Sequence, residues 1–294
     1  MAVGDDGRNR TLLSAFRAKT SRNQPSNAKY IFGPSVWIRG LIKPPPGMAL
    51  SYIDWSSQEI GIAAALSSDE NLKAAYLSGD PYLAFGKQCG RLPPDATRAT
   101  HGAERELLKQ CVLGVNYAMG EQSLALRIGQ PEIVARDILR AHRETYTKYW
   151  AMSDAAVDIA MQGRPLRTVF GWPIRIGPNP NHRSFRNYVM QANGAEMLRI
   201  ACCLGTERGV EICGPAHDAV LICAPIERLE YDTAVMRDAM TEASRAVLDG
   251  FELRADAHPV TSPDRYADAR GAVMWSTVME LLEQAETQTM RAAG

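Results

Sequence analysis

The sequence ALSYIDWSSQE, residues 49–59, carries a short apolar run into Asp54 and continues as an apolar, helix-like stretch over residues 60–66. This pattern predicts a strand, a turn and a helix, with a carboxylate at the end of the strand. Two interpretations of Asp54 are open. In the first interpretation Asp54 is a helix cap, because an Asp oxygen can accept hydrogen bonds from the unpaired backbone N–H groups at a helix start. Alternatively, it belongs to a site together with Glu59, a second acid about one helical turn later.

The composition is that of a globular protein with no bias toward a charged partner. The 294 residues are 46% hydrophobic, enough for one elaborate domain or two smaller ones. The 33 basic and 33 acidic residues cancel. Basic residues are nevertheless concentrated in residues 1–43, which hold eight of them against only Asp5 and Asp6. Residues 1–29, which include the loop-like TSRNQPSN at 20–27, are predicted to be a basic, partly mobile arm.

The six cysteines form no CxxC pair, and most of them lie in apolar runs. The sequence therefore predicts neither a zinc site nor a disulfide framework. The N-terminal MAVGDDGRNR lacks the apolar segment of a secretory signal, and no run approaches the roughly 18 apolar residues of a spanning helix. We expect a cytoplasmic protein with no membrane partner.

The remaining pattern predicts an α+β fold. A helix is expected to start at SSDE, residues 67–70, which has the form of a capping box. Residues 104–127 are helical in pattern, with an interruption near 118–120. The other predicted elements are helices at 131–162, 183–201 and 273–285, a β-like piece at 167–176, a loop at 177–184, and a hairpin at 210–225 whose strands flank Gly214, Pro215 and Ala216.

Two of the predicted helices carry a stripe of side chains spaced four residues apart. The first stripe is Arg105, Lys109, Leu113 and Tyr117, and the second is Arg183, Asn187 and Gln191. Residues at this spacing share one helix face. Cationic faces are commonly solvated and apolar faces commonly packed in the core. Neither explanation accounts for a single face that is cationic at one end and apolar at the other.

A second strand-borne acid, Asp218, opens the apolar run AVLIC directly after His217. A buried, unpaired carboxylate is costly, so Asp218 needs a partner such as a cation. If its strand and the Asp54 strand are neighbours in one antiparallel sheet, the two carboxylates can share a pair of divalent cations. Such a pair serves phosphoryl and nucleotidyl transfer, and oxygen ligands suit Mg²⁺.

The first stripe would complete a nucleotide site around these acids. Arg105 and Lys109 would neutralise a triphosphate, because charge-assisted hydrogen bonds bind phosphate oxygens strongly. Leu113 and Tyr117 would pack against a base. The site would then be assembled from three separated segments of the chain.

Five segments, in order along the chain, resemble motifs of the family A DNA polymerases, the DNA polymerase I type. IDWSSQEIGIAAALSSDE resembles motif A, RELLKQCVLGVNYA resembles motif B, and PAHDAV resembles motif C. RSFRNYVMQ is similar to the stripe between motifs B and C, and TSRNQP to the segment upstream of motif A. The resemblance covers residues 20 to about 222, and it depends on the order of all five segments.

The resemblance implies a role for each matching residue. Asp54 and Asp218 would bind two catalytic Mg²⁺ ions, replaceable by Mn²⁺, with help from the backbone carbonyl of Trp55. Glu59 would exclude a ribose 2′-OH, and Lys109 would be the general acid for pyrophosphate. Arg105 and Lys109 would bind the triphosphate, and Leu113 and Tyr117 would contact the base. Five residues would face the primer–template duplex: Arg22, Arg183, Asn187, Gln191 and His217.

Four positions depart from the family pattern: Ala219 replaces the third acid of motif C, Leu113 an aromatic, Ala118 a glycine and Gly61 a basic residue. Leu113 should weaken stacking and alter sugar discrimination, and Ala219 removes an accessory carboxylate. About 50 residues precede motif A. Thumb and exonuclease domains are therefore expected to be missing, and with them proofreading and high processivity, unless a partner chain or second subunit supplies the clamp.

The sequence thus predicts a polymerase palm with an antiparallel sheet and helical fingers. The expected divisions are residues 1–66 for the basic arm and first part of the palm, 67–165 for the fingers, and 166–294 for the remaining palm. The expected activity is template-directed addition of dNTPs to a primer 3′-OH. Two alternatives stay open: a non-catalytic or weakly active accessory subunit that binds DNA, and a primase or RNA polymerase, against which Glu59 argues.

Overall fold

An antiparallel sheet and a set of helices make up the protein, whose computed structural model describes residues 3–26, 28–174, 176 and 181–293. The described strands are β1 (Leu13–Ser14), β2 (Gln24–Pro25), β3 (Met48–Trp55), β4 (Leu166–Arg167), β5 (Pro173–Ile174), β6 (Glu211–Ala216), β7 (Ala219–Pro225) and β8 (Ala255–Thr261). The described helices are α1 (Gln58–Ser67), α2 (Glu70–Leu77), α3 (Pro81–Gln88), α4 (Gly102–Asn116), α5 (Glu121–Ile128), α6 (Glu132–Thr145), α7 (Thr147–Met161), α8 (His182–Glu207), α9 (Leu229–Val247) and α10 (Ala272–Ala293). The predicted α+β class is confirmed.

The strand that carries Asp54 lies inside the main sheet, whose strand order is β6-β7-β3-β8. β3 is antiparallel to β7 on one side and to β8 on the other. Apolar side chains suit this central position, and Ile53 and Trp55 are almost fully buried. The strand extends through Trp55, so Asp54 lies within it and not after its end. The Asp54 strand and the 210–225 hairpin are neighbours, as predicted.

The predicted hairpin turn was wrong. β6 runs on through Gly214 to Ala216, and the two residues that join it to β7 are His217 and Asp218. His217 has φ 59°, as tight two-residue turns require. Gly214 instead allows a close approach, because a Cβ there would lie 3.0 Å from the Tyr30 Oη. Asp218 therefore lies in the turn and not at the start of a strand.

Each face of the sheet is covered by a different part of the chain. On one face, Ile53, Val220 and Ile222 pack into a large core with α8 and α9. On the other face, Leu50 and Leu221 pack in a smaller core with Tyr30 and Phe32 of the N-terminal segment, residues 3–26 and 28–43. Alternate residues of a strand point to opposite faces, which explains this division.

Residues 1–29 were predicted to be a partly mobile basic arm, but the structure packs described residues of this part, and those that follow it, against the body of the protein. The Tyr30 hydroxyl donates to the Pro215 carbonyl at 2.7 Å, and Ser21 is fully buried. Cations of the N-terminal segment form ion pairs with distant acids: Arg8 with Glu211, Arg22 with Glu59, and Arg39 with Asp268. Tertiary contacts therefore order a stretch whose composition is typical of a loop.

Helices α2 to α7 form the helical part between residues 70 and 161. A helix begins within residues 67–70, as predicted, but its cap is Asp69 and not Ser67, which is the last residue of α1. Asp69 accepts from the Leu72 amide at 3.1 Å, and its second oxygen accepts from the Lys148 amide at 3.0 Å. One carboxylate thus caps α2 and joins it to α7.

Two further helix predictions are confirmed. α4 ends at Asn116 and α5 begins at Glu121, so the interruption near residues 118–120 is confirmed. The C-terminal helix is confirmed and is longer than predicted. Residues 177–180 of the predicted loop lie outside the described residues. Across the described part of the chain, no helix is both long and apolar enough to cross a membrane.

Gly61 stands where the motif that this stretch resembles has a basic residue, and its surroundings leave no room for a side chain. A Cβ at this position would lie 2.4 Å from Leu253 Cδ2 and 2.9 Å from Tyr76 Cε2. We expect Gly61→Ala to destabilise the protein by about 1–2 kcal/mol, because overpacking exceeds the gain in helix propensity. The melting temperature should fall by a few degrees. Gly102→Ala is the matched control, since nothing lies within 4 Å of a Cβ there; equal melting temperatures for the two variants would contradict the packing argument.

Candidate active site

Asp54 and Asp218 lie side by side at one end of the sheet. Asp54 is paired with Ala219 across β3 and β7, and the Trp55 N–H donates to the Asp218 carbonyl at 3.1 Å. The Trp55 side chain itself is buried. Asp54 is not a helix cap, because the residue at the N-cap of α1 is Ser57. The first of the two interpretations of Asp54 is therefore wrong.

The electrostatics of the pair favour a bound cation. Burial raises the pKa of both carboxyls above the usual Asp value, and the charge of Asp218 raises that of Asp54 further. The Asp54 Oδ1 atom is buried and has no hydrogen-bond partner among the described residues. The nearby His258 Nε2 lies 3.6 Å from it. Two close carboxylates, one with an unpaired oxygen, fit a hard divalent cation.

These pKa shifts predict how stability depends on pH. Because the folded-state pKa of Asp218 is raised, its charged form is less stable in the native state than in the unfolded chain. The free energy of unfolding therefore falls as the pH rises from the unfolded value, about 3.9, through the folded one. At neutral pH in EDTA, Asp218→Asn should stabilise the protein by about 1 kcal/mol and raise the melting temperature by about 2–4 °C.

Thermal melts of the variant and of the exposed control Asp238→Asn test this prediction. The control should leave the melting temperature unchanged, and an Asp218→Asn protein that melts at or below the temperature of the original chain would contradict the argument. Melts from acidic to neutral pH should show the difference growing as the pH rises.

Two residues of β8 that the sequence analysis missed also face Asp54. Asp256 is paired with Asp54 in register and accepts a short hydrogen bond from the Ser56 hydroxyl. The charge of Asp256 raises the pKa of Asp54, and His258 lowers it. Asp256 and His258 alternate with alanines in ADAH, so they share one face of the strand. This period-two signal was available in the sequence, but not the identity of the neighbouring strand.

Glu59 lies in the first turn of α1, close to Asp218. Its carboxylate is 3.7 Å from the Arg22 Nη2, and the Asn187 amide lies beside it. Burial raises the pKa of Glu59, and the charge of Asp218 adds to this rise, while Arg22 and Asn187 lower it. The Asn187 geometry falls short of a hydrogen bond, since both of its amide atoms are buried and unpaired in the described structure.

The C-terminal end of α4 lies close to Glu59 and Asp218. Tyr117, just after the last residue of α4, is half exposed. Burial raises the pKa of its hydroxyl, and the charges of Glu59 and Asp218 add to the rise. Leu113 is partly buried one turn earlier. Tyr117, at the apolar end of the first stripe, is thus close to the acids.

The cationic end of that stripe is paired elsewhere. Arg105 Nε donates to the Asp80 carboxylate, and its guanidinium lies 5.2 Å from the Tyr82 ring centre. Lys109 Nζ lies 3.7 Å from Glu106. The sequence analysis did not identify Asp80 as a partner of Arg105. The Asp-Pro pair does mark Asp80 as a helix cap, and its carboxylate accepts from the Leu83 amide. Only the tertiary fold shows that its second oxygen holds Arg105.

Two of the five residues predicted to face DNA line a common cavity, and the other three lie along α8. Arg22 and His217 line this cavity of about 230 Å³ between the N-terminal segment, α8 and the hairpin. Arg183 is exposed near the start of α8, and Gln191 is partly buried two turns later. Asn187 lies between them and is buried.

Comparison with known proteins shows matches to one family. The model of DNA polymerase family A matches residues 33–257. DNA polymerase I of Chloroflexus aurantiacus is 23% identical over 238 residues, 76% of this chain and 25% of that protein. The thermostable DNA polymerase I of Thermus thermophilus is 26% identical over 221 residues, 70% of this chain and 26% of that protein. The chain thus spans about a quarter of the length of these two relatives.

A phage protein and a solved structure are similar as well. The DNA polymerase of Mycobacterium phage L5 is 23% identical over 246 residues, 82% of this chain and 39% of that protein. The fold resembles the POL domain of Pol1 from M. smegmatis in complex with DNA primer-template and dNTP. The TM-score is 0.74, over 88% of this chain and 48% of that one, at 20% identity.

Proposed function

The chain belongs to DNA polymerase family A, and from this premise we propose that it adds dNTPs to a primer 3′-OH as a template strand directs. The observation that carries the proposal is that Asp54 and Asp218 lie side by side at one end of the sheet, where the buried Asp54 Oδ1 atom accepts no hydrogen bond from a described residue. The POL domain of similar fold was solved with primer-template and dNTP, which supports the same ligands here.

Asp54 and Asp218 are proposed to hold two Mg²⁺ ions, together with the backbone carbonyl of Trp55. Mn²⁺ takes the same oxygen ligands and is expected to substitute. When bound, such ions lower the pKa of an attacking hydroxyl and neutralise charge on the transferring phosphate. The chain's own contribution is to keep both carboxylates close together and partly buried, where their charges act strongly.

The incoming nucleotide is proposed to bind between the acids and α4. Arg105 and Lys109 would leave Asp80 and Glu106 and contact the triphosphate, because a triphosphate carries more negative charge than either acid. Lys109 would donate a proton to the leaving pyrophosphate. Leu113 and Tyr117, at the other end of the same face, would pack against the base.

The primer–template is proposed to lie along the cavity that Arg22 and His217 line, with Arg183, Asn187 and Gln191 facing the end of the duplex. The unpaired, buried amide of Asn187 supports this assignment. Amide side chains can bond the minor-groove acceptors that every base pair presents, so binding would not depend on sequence. Residues 67–165 would serve as fingers, and residues 1–66 and 166–294 as palm.

Primer extension tests the proposal. The purified chain, a labelled primer–template and Mg²⁺ should give one added nucleotide with the complementary dNTP and far less with the other three. A trap DNA added with the nucleotide measures how many are added per binding event. The absence of any product with every dNTP, at high protein and with Mn²⁺, would contradict the proposal.

A second candidate function has one specific observation in its favour. Ala219 occupies the position of the third motif C acid and is fully buried, so this site supplies no carboxylate there. A chain that binds primer–template in a mobility-shift assay but adds nothing, even with Mn²⁺, would be a DNA-binding accessory protein. Template-directed product at a rate proportional to enzyme would exclude this candidate.

A further inference from the structure

Glu211, Cys213 and Cys223 form a cluster at the open end of the hairpin, opposite to the turn that holds Asp218. One carboxylate oxygen and the two Sγ atoms lie within 4.8 Å of one another. No other three His, Cys, Asp or Glu side chains come this close in the part of the chain that the structure describes. The two cysteines are ten positions apart in the sequence, so they form no CxxC pair.

The register of the hairpin brings these side chains together. Glu211 is paired directly with Cys223, and directly opposed residues share one face of a sheet. The register shifts between Ile212 and Gly214, so Cys213 is the extra residue of a bulge. Bulges redirect a side chain relative to the regular strand. Here the bulge places the Cys213 thiol beside the Cys223 thiol.

The donor set selects the class of ligand. Two thiolates and one carboxylate suit a thiophilic divalent cation, whereas Mg²⁺ prefers oxygen ligands and retained waters. Tetrahedral Zn²⁺ with bonds of about 2.0–2.3 Å separates its ligand atoms by roughly 3.3–3.8 Å. The cluster, at up to 4.8 Å, reaches this spacing with small side-chain rotations.

We propose that Glu211, Cys213 and Cys223 bind one divalent cation of the Zn²⁺ class, with water as the fourth ligand. The open side of the cluster permits entry, since Glu211 and Cys213 are exposed while Cys223 is buried. A neighbouring cavity of about 570 Å³ gives room for the cation and its water. This site is independent of the acids at the other end of the hairpin and of the activity proposed for them.

Arg8 is the cation that now lies at the cluster. Its Nη1 atom is 3.1 Å from the Glu211 carboxylate, and both side chains are about half exposed. An ion pair this exposed contributes at most about 1 kcal/mol. Bonds from two thiolates to Zn²⁺ are much stronger, as structural zinc sites stabilise small domains by several kcal/mol or more. Arg8 therefore gives way to the metal and turns toward solvent.

A Cd²⁺ titration of the reduced, metal-free chain tests the proposal. Thiolate coordination to Cd²⁺ produces an ultraviolet charge-transfer band that oxygen ligands do not give, so any Cd²⁺ at Asp54 and Asp218 is silent. We expect the band to saturate at one equivalent, to disappear when Zn²⁺ is added, and to persist in a large excess of Mg²⁺.

Two variants and one control locate the site. Cys213→Ser should weaken Cd²⁺ binding by at least about tenfold, because loss of a direct ligand costs no less than loss of a supporting one. Cys203→Ser is the matched control, an exposed cysteine on α8 outside the cluster, and should bind like the original chain. Glu211→Gln keeps both thiols and the fold, so its weaker binding would assign the carboxylate.

Three results would overturn the proposal. These are the absence of a band, equal binding by the Cys213→Ser and Cys203→Ser proteins, and a Cys213–Cys223 disulfide that forms in air at the same rate with and without Zn²⁺. The last result, read by a mass loss of two hydrogens, would make the cluster a redox pair.

Discussion

Replacing Asp54 or Asp218 by alanine is expected to abolish primer extension, with a rate at least about 10³-fold below that of the original chain. Each carboxylate is proposed to hold both cations, so the loss of one removes charge stabilisation worth several kcal/mol. The two acids lie on β3 and in the turn before β7, joined by the hydrogen bond from Trp55 to the Asp218 carbonyl. That bond uses backbone atoms, so either substitution leaves the sheet intact.

Single-turnover extension and DNA binding are to be measured on the same preparations. Binding of primer–template should change by no more than a few-fold, because the proposed duplex contacts lie on other side chains. Asp238→Asn, an exposed acid on α9, is the control and should retain full activity. Full activity of the Asp54→Ala or the Asp218→Ala protein would refute the proposed mechanism.

The second large effect is expected at Glu59. Glu59→Ala should lower the preference for dNTPs over rNTPs by about 10–100-fold, measured as a ratio of kcat/KM values. The side chain is held in place by Arg22 at 3.7 Å, beside Asn187 and close to Asp218. A side chain held this way is a fixed obstacle to a 2′-OH, and alanine removes it.

Glu59→Gln separates size from charge. If Glu59 acts as a steric barrier, the glutamine variant keeps most of the preference, whereas a charge effect would be lost in both variants. An unchanged ratio in Glu59→Ala would show that sugar selection lies elsewhere. Equal use of rNTPs and dNTPs by the original chain would instead favour the primase or RNA polymerase alternative.

Local patterns were sufficient for much of the fold. The interruption after α4, the C-terminal helix and the strand before Asp54 were predictable because each depends on neighbours within a few residues. The hairpin turn was not. Gly214 is a residue type typical of turns, but here it allows close packing on Tyr30, and the turn forms at His217 and Asp218.

Partners across the sheet were beyond prediction. Asp256 and His258 were visible as an alternating pair, yet nothing local identifies β8 as the neighbour of β3. Two other contacts could not be predicted for the same reason, namely the ion pair of Arg105 with Asp80 and the contact of Cys213 with Cys223. Each depends on a register between segments that the sequence does not relate, and on a bulge in the last case.

Motif order and helical spacing can be read along the chain, so they were enough to identify the family, the acids Asp54 and Asp218, and the helix face shared by Arg105 and Tyr117. Contacts between distant segments were needed to show that Asp54 is no helix cap, that Asp218 lies in a turn, and that Glu59 is held by Arg22. The physical reason is packing on both faces of β3. Helices α8 and α9 pack on one face and the N-terminal segment on the other, and this packing fixes the strand registers. The registers determine which charged side chains become neighbours.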